Sequence, residues 1–114
     1  MKLQLRKTPY REEFLNRLEP SLTKEKRLIL GAMGICGESG EVSEHIKKFV
    51  FYDKQIPSEK IIEELGDIRW YFELLLDTFN LTMEEVEQQN IEKLKKRYPN
   101  GFNKEDAISQ KDKK

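Results

Sequence analysis

The sequence carries a single cysteine, a single histidine and a single tryptophan among its 114 residues, and its charges cancel. One cysteine, Cys36, excludes an intramolecular disulfide framework. Lying in an apolar helical stretch, it reads as a small core residue. One histidine, His45, excludes the paired Glu-x-x-His motifs of a di-iron carboxylate bundle. With 21 basic and 21 acidic side chains there is no global field to draw in nucleic acid or an anionic membrane. No leader-like segment and no apolar run near the roughly 18 residues of a membrane span are found. The expectation is a cytoplasmic protein with no nucleic-acid or membrane partner. Apolar residues are also scarce. They make up 37% of the chain, as do charged residues, whereas a typical globular chain has roughly 45–50% apolar and about 25% charged. That balance suits amphipathic helices with wet outer faces, or a protomer that completes its core against a partner.

What is present is helical punctuation. The length suits one domain, placed at residues 1–102 with a polar tail over 103–114. Thr8-Pro9 opens a first helix as N-cap and N1, which runs through Tyr10, Phe14 and Leu18 and stops near Pro20. A second helix follows Ser21 to Thr23 and continues to about Tyr52, with Leu28, Ala32, Ile35, Val42, Ile46 and Phe49 as its apolar stripe. Ser58 caps a third, whose stripe is Ile61, Leu65, Ile68, Phe72, Leu75 and Phe79, and Asn80 ends it. Thr82 and Glu85 form a capping-box pattern for a fourth, which ends before Pro99. The fold class is all-α, an antiparallel bundle of about four helices.

Two acidic pairs share one spacing. Glu38 and Glu41 lie i, i+3 on the second helix, and Glu64 and Asp67 lie i, i+3 on the third. Each pair falls on one helix face, one position off the apolar stripe, and should flank the seam between the helices. Four carboxylates brought together repel unless neutralised, and a hard divalent cation such as Mg²⁺ would neutralise them. The spacing alone proves nothing, because about four acid-x-x-acid pairs are expected by chance in such a composition. The chain has four: Glu38/Glu41, Glu41/Glu44, Glu64/Asp67 and Glu84/Glu87. The glycines are more telling. Gly31, Gly34, Gly37 and Gly40 recur every three residues beside the first pair, and Gly66 sits inside the second. Each costs a helix about 1 kcal/mol against Ala. Close helix approach, or room for a ligand, would account for them.

The strings GICGESGEVSEHIKKFVFYDK and EELGDIRWYFELLLDTFNLTMEEVEQQNIEKLKKRYPNGF resemble the MazG-like all-α nucleotide pyrophosphohydrolases, in particular the short, phage-like single-domain type. The likeness spans about Leu30 to Phe102. Glu38-Ser-Gly-Glu41, 22 intervening residues and Glu64-Leu-Gly-Asp67 match the family's E-x-x-E and E-x-x-D signature. The flanking strings, in this order, are more specific than the signature. The resemblance implies Mg²⁺-dependent hydrolysis of a nucleoside triphosphate to monophosphate and pyrophosphate, with Mn²⁺ as a substitute metal. It implies Glu38, Glu41, Glu64 and Asp67 as metal ligands. It carries the family's C-terminal motif onto Asn90, Lys93, Arg97 and Tyr98, of which the first three share a helix face and suit phosphate oxygens. Lys47 and Lys48 match the basic pair after the first acidic motif, and Lys48 shares the face of Glu38 and Glu41. Trp70 and Tyr71 match the aromatic pair. Tyr71 shares the face of Glu64 and Asp67 and is a substrate-binding candidate, whereas Trp70 reads as packing. His45 also lies on the carboxylate face but is not part of the signature.

The resemblance further implies nucleotide-pool house-cleaning on deoxynucleotides or non-standard nucleotides. It implies a homodimer or homotetramer, and Glu41 is the candidate base, with Glu38 beside it. A base-selecting pocket is expected near Tyr10 and Phe14. The competing reading is a non-catalytic, oligomeric, nucleotide-sensing or adaptor module.

Overall fold

The computed structural model describes residues 8–101. Phe102 and the tail expected at 103–114 lie outside them. Among the described residues there are four α-helices: α1 (Pro9–Arg17), α2 (Lys24–Tyr52), α3 (Ser58–Thr78) and α4 (Met83–Arg97). The all-α expectation is met; the one β-type pairing there is an isolated bridge between Pro99 and Gly101. No helix among the described residues is long and apolar enough to cross a membrane.

The ends of the helices follow from local chemistry. The Thr8 hydroxyl accepts from the Arg11 amide at 3.0 Å, with Pro9 opening α1. Thr23 caps α2 through the Lys26 amide at 3.2 Å. Asp53 closes α2 in the left-handed region, and its amide donates to the Lys48 carbonyl. Asn80, at φ 59°, follows the C-cap Phe79 of α3, as expected of a residue that tolerates that conformation. The Thr82–Glu85 capping box is formed in both directions, at 2.8 and 3.0 Å. One cap differs from expectation. Ser58 lies inside α3 and caps nothing; Pro57 holds the cap position, and its carbonyl accepts from the Lys60 and Ile61 amides at 3.0 and 3.1 Å. Pro57 has no N–H to satisfy, so the helix can start directly after it.

The chain forms two compact units, Met1–Asn80 and Leu81–Lys114. The first holds α1, α2 and α3, and the second holds α4. In the first, α2 and α3 pack along one another and α1 lies on α3. The glycine run does not break α2, which is continuous through it. Gly31 and Gly34 set how the seam forms. A Cβ at Gly31 would sit 2.6 Å from Leu75 Cδ2, and one at Gly34 would sit 2.3 Å from the Tyr71 ring. The two helices therefore approach along the glycine line, which Leu75 of the expected α3 stripe faces, while other members of the expected stripes lie off it. Ala32, Ile46 and Phe49 on α2 and Leu65 and Phe79 on α3 are exposed. Cys36, about 200° around the helix from Gly34, is exposed rather than in the core.

The apolar core of the first unit is small: Phe14 of α1, Leu18 at its C-cap and Leu74 of α3, with Leu22 and Trp70 packed against them. Phe14 and Trp70 meet with ring centroids 5.0 Å apart. Beside this core is a knot of charge. Arg11 of α1 pairs with Glu73 of α3, and its other branch reaches Asp77 at 3.2 Å. Arg27 of α2 reaches Asp77 at 3.2 Å, and Arg69 reaches Glu73 at 2.6 Å. The Glu73 side chain is 3% exposed. A carboxylate buried that far survives only when paired. Arg11 and Arg69 hold it directly, and Arg27 steadies the neighbouring Asp77.

A carboxylate cluster across the α2–α3 seam

Close approach along the glycine line also carries the acids inward. On α2 the face turned to α3 continues from Gly34 to Glu38, one turn on. On α3 the face that carries Leu75 and Tyr71 continues back to Glu64, two turns away. Glu38 is half-buried and Glu64 buried, while Glu41 and Asp67 stay exposed at the flanks. Glu38 feels all of them. Its carboxyl is pushed above the ordinary glutamate range, first by partial burial and then by the negative charges of Glu41, Asp67, Glu64 and Glu63. The four acids expected from the sequence thus form one electrostatic cluster, and Glu63 joins it.

Glu64 is the deepest member, 7% exposed. One of its oxygens, Oε2, lies 3.1 Å from His45 Nε2 of α2. The other, Oε1, is buried with no hydrogen-bond partner. A buried carboxylate oxygen left unpaired is costly, and in a cluster of acids a cation is the partner that would satisfy it. The donor set, carboxylate oxygens only, is the chemistry that Mg²⁺ or Mn²⁺ prefers. Among the described residues no three acidic, histidine or cysteine side chains converge as a metal-holding group; the acids form a cluster rather than a closed coordination shell. Beside them Gly37, Gly40 and Gly66 have nothing within 4 Å of where a Cβ would stand. The five helical glycines therefore divide. Gly31 and Gly34 serve close approach, and the three nearest the acids face open space.

Tyr71 packs over Gly34 and meets Trp70 edge-on at 5.5 Å, so it sits in the seam. Trp70 packs on Phe14, as its packing reading requires. Phe14 is 1% exposed, its ring held in the small core with Leu18 and Leu74. Tyr10 is placed differently. Its ring covers the Arg69 guanidinium at 4.2 Å. Burial raises its phenol, Arg69 opposes that, and Glu73 and Asp67 add to it. The start of α1 thus stands within electrostatic reach of Asp67. Lys48 is exposed near the end of α2, and Lys47 pairs with Glu44 at 3.2 Å. Asn90, Lys93, Arg97 and Tyr98 belong to α4 and its C-cap, in the second unit. Asn90 and Lys93 are exposed, and the Arg97 guanidinium lies 6.0 Å from the Tyr98 ring centre.

Three features of the structure go beyond what the sequence predicts. The signal for the His45–Glu64 contact was present, since His45 follows Glu38 by seven residues and so shares its face. The signal for the charge knot was an acid pair at i, i+4, Glu73 and Asp77, inside the otherwise apolar run WYFELLLDTF. Glu63 gave none, because a second acid beside Glu64 looks like any solvated charge.

An all-α chain with clustered carboxylates on two facing helices is the class of molecule these features define. The family model described as the MazG nucleotide pyrophosphohydrolase domain matches residues 30–102, and the chain belongs to that family. It is similar to the Gene 37 protein of Mycobacterium phage L5, 34% identical over 74 residues, covering 60% of this chain and 64% of that protein. The match thus spans somewhat under two-thirds of the relative's length. No solved structure gives a significant match.

Proposed function

We propose that the protein hydrolyses nucleoside triphosphates, among them deoxynucleotides or non-standard nucleotides, to monophosphate and pyrophosphate, as a house-cleaning enzyme of the nucleotide pool. The observation that carries this reading is the unpaired buried Oε1 of Glu64 inside the acid cluster. It marks a position that wants a cation, in a chain of a pyrophosphohydrolase family. Glu38, Glu41, Glu64 and Asp67 would hold the metal. Bound Mg²⁺, with Mn²⁺ as a substitute, supplies neutralising charge for the phosphates and a more acidic water.

The remaining work falls to the chain's own side chains. Glu41, exposed at the edge of the cluster, accepts the proton of the attacking water, with Glu38 beside it. The water oxygen bonds to the α-phosphorus. The bond from that phosphorus to the oxygen bridging to the β-phosphate breaks, and pyrophosphate leaves with the bridging oxygen. The family's C-terminal motif supports a phosphate-binding role for Asn90, Lys93, Arg97 and Tyr98, the two cations offsetting charge on the leaving group. Lys48 and Tyr71 are further substrate contacts in this reading. The exposed apolar side chains on α2 and α3, among them Ile29, Met33, Phe51 and Ile62, support a homodimer or homotetramer.

The test is a panel of ribo- and deoxynucleoside triphosphates with Mg²⁺, each product identified. Monophosphate and pyrophosphate in equal amounts are expected. Glu38→Ala and Glu64→Gln should each lower the rate by about 100-fold or more. Orthophosphate as the sole product, or undiminished turnover in both variants, overturns the reading.

A further inference from the structure

Three places lie outside the proposed chemistry: the exposed apolar face of α2, the Tyr10–Arg69 stack, and the contact between His45 and Glu64. The last carries furthest. We infer that His45 is a positioning residue for the cation site: its Nε2–H holds Glu64 Oε2 and thereby commits Glu64 Oε1 to the bound divalent cation. This rests on the cation-binding reading given above and names the residue that organises it.

The donor in this contact is the imidazole. An ionised carboxylate only accepts, so for Glu64 to act as a cation ligand the 3.1 Å contact requires the His45 tautomer with its proton on Nε2. A carboxylate on a free side chain spins between equivalent rotamers and offers both oxygens to solvent. Glu64 can do neither. Its side chain is 9% exposed, and one oxygen is tied to the imidazole of the facing helix. The other oxygen therefore has one direction left, and in that direction it has no protein partner. A ring donor on one oxygen with the second held open is the arrangement by which outer residues orient a metal-binding carboxylate. The contact also spans the seam. His45 stands on α2, a turn beyond Glu41, and Glu64 on α3, so the same bond fixes the two acidic pairs against each other.

The chain has one histidine, so an untagged sample reports on it without ambiguity. Mn²⁺ alone is titrated into the wild-type protein, His45→Gln and His45→Leu, with binding followed by calorimetry and folding by circular dichroism. Glutamine can still donate to Glu64; leucine cannot. Wild type and His45→Gln should bind Mn²⁺ within about threefold of each other, and His45→Leu should bind about tenfold or more weakly. In proton NMR, substoichiometric Mn²⁺ should broaden both imidazole ring signals of the wild type and leave them sharp in Glu64→Gln. If the wild type takes up no Mn²⁺, the cation reading fails and this inference with it. If the wild type binds Mn²⁺ but the imidazole signals stay sharp, the inference alone is overturned. It is overturned in the same way if His45→Leu binds as tightly as wild type, or if His45→Gln loses binding. Should His45→Leu not fold, His45→Gln and the line broadening decide.

Discussion

Glu38 is a residue placed at some cost to the fold. Burial and four like charges hold its folded pKa above its ordinary value of 4.5. A glutamate raised on folding binds more protons in the native than in the unfolded state across the interval between the two pKa values. Stability therefore falls as pH rises through that interval, and the deficit is fully present above the folded pKa. Glu38→Gln should melt higher than wild type in chelator at pH 8. The advantage should shrink as pH falls through the raised pKa toward 4.5. Thermal melts of both proteins across that range check the sign. The opposite demand acts at Arg11. Replacing it with Met leaves Glu73 buried with Arg69 as its remaining arginine partner, and a buried pair broken from one side costs about 3 kcal/mol. Urea unfolding of Arg11→Met should show a loss of that order, and the double change with Glu73→Leu should recover part of it.

At the scale of the helices, the glycines make opposite predictions that sequence spacing could not separate. Gly34→Ala drives a methyl into the Tyr71 ring and should destabilise by about 1–3 kcal/mol, as overpacking does. Gly37→Ala meets nothing within 4 Å in its own chain and should stabilise the isolated protomer by up to about 1 kcal/mol through helix propensity. A cost at Gly37 instead would mean that something outside the protomer occupies that space. Denaturant midpoints of the two variants give the comparison. Much of the element scale was legible beforehand. Thr8, Thr23, Asn80 and Thr82 announced helix ends because caps are local, decided by residues three or four apart. The seam was legible only in part. The expected stripe of α3 included Leu75, which does face Gly31, but also Leu65 and Phe79, which are exposed, while Tyr71, outside the stripe, lies over Gly34. The acids were legible as residues, but their depth was not, since Glu64 is buried where the helices come close over the glycines.

For the whole molecule, the shortage of apolar residues seen in the sequence reappears as a shortage of core. Phe14, Leu18, Leu74 and Leu76 are the buried hydrophobic residues among those described. Phe51, by contrast, is 75% exposed on α2. Large exposed apolar side chains favour association, and light scattering at micromolar concentration should return a mass of two or four chains. Phe51→Glu should shift that mass toward one chain while leaving the helical circular dichroism intact. A single-chain mass for the wild type would leave the exposed face unexplained.

The charge knot draws a boundary that homology does not. The family match begins at residue 30, but Glu73 and Asp77 within it are held by Arg11 and Arg27 from before it, and Leu74 is roofed by Phe14. A fragment trimmed to residues 30–102 would strand Asp77 and leave Glu73 with Arg69 alone, beside an opened hydrophobic surface. It should bind a hydrophobic dye and lose the cooperative melt of the full chain. The stretch inherited in recognisable form and the stretch that must be synthesised together to fold are different lengths of polypeptide.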